Sequence, residues 1–73
     1  MNEYSRIIIE GYCMEHPNTK KGKFLYRMVQ MSYDLTAEGT DADAIQLEKY
    51  IQSEKNPRLR EALDDLDEFL FRL

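Results

Sequence analysis

Seventy-three residues, 42% of them hydrophobic, can make one small domain with a core, and they set the chain apart from disordered sequences. A single cysteine excludes an intramolecular disulfide. With the one histidine it falls well short of the four ligands of a structural zinc site, so a reducing, cytoplasmic setting is expected. The net charge of −4 is unevenly spread: residues 1–33 hold five Lys/Arg against three acids, whereas residues 34–73 hold five against eleven. That acidic balance argues against nonspecific nucleic-acid binding, whose affinity rests on neutralising phosphates.

The chain opens on EYSRIIIEGYCME, residues 3–15. Its apolar run is three isoleucines between Arg6 and Glu10, too short for a signal peptide or a membrane span. Tyr4, Ile7, Ile8 and Tyr12 recur at helical spacing and Asn2 can cap, although β-branched Ile7-Ile8-Ile9 and Gly11 both disfavour a helix. A strand is the alternative, but no second strand is visible to pair with it. A helix over about 3–15 is therefore expected.

His16-Pro17-Asn18-Thr19 is a break, because the residue before a proline avoids helical dihedrals and Asn or Thr can cap the next helix. That second helix is predicted over about 20–37. Phe24, Met28, Met31 and Leu35 form its stripe, widened by Leu25, Val29 and Ser32, and Gly39 offers a left-handed stop. Five tyrosines exceed what so small a core can hide, so Tyr26 and Tyr33 on the flank of this helix should be exposed.

Thr40 with Asp43 resembles a capping box, and a third helix over about 41–54 would turn Ala44, Leu47, Tyr50 and Ile51 inward. Lys55-Asn56 leads into the last helix, 57–73, with Asn56 as cap and Pro57 at its first position. Leu59, Leu63, Leu66, Leu70 and Leu73 are spaced four, three, four and three apart, one continuous stripe of an α-helix. The fold class expected is all-α: a three- or four-helix bundle, packed sequentially and antiparallel, as a single domain over residues 1–73.

Few residues suggest chemistry. Cys13 and His16 make a C-x-x-H pair, which reads more simply as a buried packing thiol beside an exposed turn histidine than as a nucleophile pair. No phosphate loop, nucleophile elbow or calcium loop is present, so neither catalysis nor a cofactor or metal is expected.

Surface chemistry says more. Glu61, Asp64, Asp65 and Glu68 form an acidic face on the last helix, with local relief available from Arg60 to Asp64 and from Arg72 to Glu68. It is read as a solvated face, as the counterpart of the basic patch of Lys20, Lys21, Lys23 and Arg27, or as a docking face for a basic partner. The last turn adds Phe69 and Phe71 to the leucines and is apolar nearly all round, which marks burial on all sides or an interface.

The function expected is a small, acidic, non-enzymatic protein–protein interaction module, an adaptor, regulator or inhibitor. It would form a homodimer through Leu59, Leu63, Leu66, Phe69, Leu70, Phe71 and Leu73 and bind another, basic protein. The alternatives are a DNA-binding regulator using the Lys20–Arg27 patch and a structural subunit of a larger assembly.

Overall fold

The computed structural model describes residues 1–34 and 36–72. It is all-α: α1 (Glu3–Glu15), α2 (Lys20–Tyr33), α3 (Asp41–Ser53) and α4 (Pro57–Asp67), the last running on into a π-helical turn at Glu68–Arg72. Each start is written in side chains. Asn2 accepts from the Tyr4 N–H, Thr19 from Gly22 and Asn56 from both Arg58 and Leu59, while Thr40 and Asp43 close a reciprocal capping box. The β-branched run of α1 is helical throughout.

One core draws on all four helices: Ile9 and Cys13 from α1, Leu25, Met28 and Val29 from α2, Leu47 and Ile51 from α3, and Leu59, Ala62, Leu63 and Leu66 from α4. The face α1 buries is not the one its large residues suggest. Ser5, Ile9 and Cys13 point inward, Ile8 and Tyr12 lie half-buried, and Tyr4 and Ile7 are more than half exposed. Because α1 packs against both α4 and α2, the line between those two neighbours is buried, with Ile9 at its centre and the smaller Ser5 and Cys13 a turn to either side.

Packing is only partly sequential. α1 lies on α2 and α3 on α4, but α1 makes its most extensive contact with α4, the last helix. α2 and α3 are joined mainly by side-chain bridges, Lys21 to Glu54 at 2.5 Å and Arg27 to Asp43 at 2.7 Å, with the rings of Phe24 and Tyr50 centred 5.5 Å apart between them. This pairing order makes α2 and α3 antiparallel.

Two expectations about helix ends are corrected. α2 stops at Tyr33 instead of near residue 37, and Asp34 folds its carboxylate back onto the N–H and hydroxyl of Thr36. Gly39 does not adopt a left-handed conformation. A side chain there would collide with the ring of Phe71, so the glycine lets the chain cross over that ring. Leu35, expected to extend the α2 stripe, lies outside the described residues.

Candidate interaction surfaces

The leucine helix keeps its register for three turns and then loses it. Leu59, Leu63 and Leu66 are buried with Ala62, at 6% exposure or less. Beyond Asp67 the turn widens, and in this wider turn residues five apart, not four, come into register. Arg72 accordingly pairs with Asp67 at 2.9 Å, not with Glu68 as α-helical spacing predicts. The same widening brings Leu70 and Phe71 against the core, and Phe71 covers Gly39 beside Met31.

The expected self-association surface is thereby split. Leu59, Leu63 and Leu66 are committed to the core of their own chain and are not available to a second copy without unfolding. Phe69, Leu70 and Phe71 are half-buried, and Leu73 lies outside the described residues. The last turn lies against α2 and the segment around Gly39.

Asp67 is the buried carboxylate of this region, only 4% exposed. Burial pushes its pKa above the usual carboxylate range; Arg72 opposes that shift, and Glu48 and Asp64 add to it. In sequence Asp67 belongs with its acidic neighbours, but it stands four residues after Leu63 and shares that leucine's inward face.

The acidic face itself stands in the open. Glu61, Asp64 and Glu68 are exposed and Asp65 is half-buried, its carboxylate accepting the Asn2 backbone N–H at 3.1 Å. Together with Asn2 and Ser5 these four acids line a shallow groove between the start of α1 and the outer edge of α4. None of the four enters an ion pair among the described residues.

The basic patch does not meet this acidic face. Lys21 is spent on Glu54 and Arg27 on Asp43, both acids of the α3 region, while Lys20 and Lys23 remain exposed. Lys21 also lies over the rings of Tyr12 and Tyr50.

Cys13 and His16 do not form a pair. The thiol is buried, and desolvation, aided by the nearby Glu10 carboxylate, raises its pKa and keeps it protonated at neutral pH. The His16 ring instead stacks on Tyr12, with centroids 4.4 Å apart. Among the described residues no group of three or more His, Cys, Asp and Glu is arranged to hold a metal ion, and no helix is long and apolar enough to cross a membrane.

One polar assembly is invisible in the sequence. The Arg6 guanidinium donates to the hydroxyl and carbonyl of Ser32 and lies over the Tyr33 ring, whose hydroxyl donates to Glu10 at 2.6 Å. The α2 terminus has no basic residue of its own, so Arg6 of α1 supplies the cation that its carbonyl end favours. Only the antiparallel pairing of α1 and α2 brings these residues together; nothing in their spacing signals it.

The outer face of α1 is also unusual. Tyr4, Ile7 and Met14 are exposed at 53%, 61% and 81%, with Gly11 between the latter two. Comparison with protein-family models, with curated proteins and with solved structures finds no match to this chain.

Proposed function

We propose that this protein is a non-enzymatic interaction module that binds a basic segment of another protein along the acidic edge of α4. The observation that carries this reading is the distribution of ion pairs. The cations of α2 nearest to acids are engaged by Glu54 and Asp43, whereas Glu61, Asp64, Asp65 and Glu68 have no cationic partner among the described residues. Glu61 with Asp65, and Asp64 with Glu68, are like charges four apart, each pair destabilising α4 by a few tenths of a kcal/mol. A basic partner would relieve that repulsion, and the groove beside Asn2 and Ser5 gives it a place to lie.

The same distribution weakens the DNA-binding reading, since Lys21 and Arg27 would have to leave their carboxylates to meet phosphates. The test is calorimetric titration with an arginine-rich helical peptide at several salt concentrations. Binding that weakens with salt, and weakens at least about tenfold in the triple variant Glu61→Gln, Asp64→Asn, Glu68→Gln, is the expected result. Undiminished affinity in that variant would remove the acidic edge from consideration.

A further inference from the structure

The outer face of α1 is largely apolar and exposed, and Arg58, which lies over the Tyr4 ring, touches it at one end. At 3.6 residues per turn, Ile7 and Gly11 lie on the side opposite Ile9, and Tyr4 and Met14 extend the same stripe along the helix. Solvent-facing helix surfaces ordinarily carry charge; this one carries Tyr, Ile, Gly and Met. Among the described residues nothing requires a glycine at position 11, because a Cβ there would meet nothing within 4 Å. A glycine in mid-helix lowers stability, and no internal contact compensates for it. What its missing side chain does provide is room for another backbone.

Beside the stripe runs a groove between α1 and the start of α4, lined by Ile7, Ile8, Gly11, Glu15, Arg58 and Leu59. Its charges sit at opposite ends. The Arg58 guanidinium donates to the hydroxyl of Tyr4, at the start of α1, and Glu15 stands at the helix's other end, about 16 Å of helix axis from Tyr4. Neither is in an ion pair among the described residues. A groove with an acid at one end and a base at the other complements itself when turned end for end, as a two-fold axis requires.

We infer that the occupant of this face is a second copy of the chain, with the two α1 helices crossing antiparallel at Gly11 and Glu15 of each copy meeting Arg58 of the other. Ile7 and Met14 then fill the space beside the crossing. This extends the interaction-module reading but uses a different surface, so either can fail alone.

Sedimentation equilibrium of the full chain over a wide concentration range tests it. The wild type is expected to show a concentration-dependent monomer–dimer equilibrium, and Ile7→Glu to weaken it at least about tenfold. Gly11→Gln should abolish the dimer while raising the thermal midpoint of the dilute monomer, so that loss of association cannot be ascribed to misfolding. Glu15→Arg and Arg58→Glu should each be monomeric alone and dimerise when mixed, since mixing restores both ion pairs. A wild type that stays monomeric at every concentration, a dimer indifferent to Ile7→Glu and Gly11→Gln, or charge variants that fail to pair on mixing would each overturn the assignment. A monomer that still binds the arginine-rich peptide would leave the acidic-edge reading standing.

Discussion

Gly11 and Gly22 occupy helices under opposite constraints. Gly22, in the first turn of α2, lies against the His16 carbonyl where α1 ends, and any side chain would strike that backbone. Gly11 faces open space. The same substitution should therefore act in opposite directions: Gly11→Ala should stabilise the dilute monomer by about 0.5–1 kcal/mol through helix propensity, and Gly22→Ala should destabilise it by about 1–3 kcal/mol through overpacking. Urea denaturation of both variants checks this; two changes of the same sign would contradict the local geometry. Helix propensity alone treats the two glycines alike, so this difference belongs to tertiary structure.

The last helix shows how an element can be legible at its start and not at its end. Asn56, Pro57 and the leucines at 59, 63 and 66 fix its origin and inward face by α-helical rules that hold as far as Asp67. Past that point the turn widens, and a stripe extrapolated at the α period no longer says where Leu70 and Phe71 go. For α1 the shortfall is different: apolar periodicity points to the large residues, whereas packing against two neighbours selects Ser5, Ile9 and Cys13. The caps, by contrast, are local and legible at Asn2, Thr40 and Asn56, because a cap needs only its own next few residues. Since Phe71 lies against Gly39 and Met31, Phe71→Ser should reduce thermal stability and leave self-association of the folded fraction unchanged. Loss of dimer without loss of stability, measured by sedimentation and circular dichroism, would return the interface to the last turn.

For the molecule as a whole, acid should act in two stages. Asp43 is held below the ordinary carboxylate range chiefly by its hydrogen bonds from Arg27. Glu54 is desolvated, which raises its pKa, but its bonds from Lys21 and the Asn56 backbone outweigh that and leave it lowered. The stability these two contribute is complete above the ordinary carboxylate value and disappears as pH falls through their lowered values. Asp67 has the reverse sign. Its folded pKa is raised, so ionisation at neutral pH costs stability, and that cost is relieved as pH falls from the raised value toward the ordinary one. Stability relative to the Asp67→Asn variant should therefore rise on mild acidification, read as the urea midpoint of each protein against pH. Parallel curves for the two would show that Asp67 does not titrate in this window.

The pairing of α1 with α4 also has a consequence in time. The N–H of Asn2 reaches the carboxylate of Asp65, and Tyr4 meets Arg58, so residues more than fifty positions apart must find each other before Ile9 is sealed. Helical proteins whose contacts are local close quickly, whereas contacts this distant in sequence slow closure by the entropy of the intervening loop. A growing polypeptide leaving the ribosome has α1, α2 and α3 in hand while the leucine face that completes the core is still unmade. Until α4 emerges, the nascent chain exposes Ile9, Leu25 and Leu47 together.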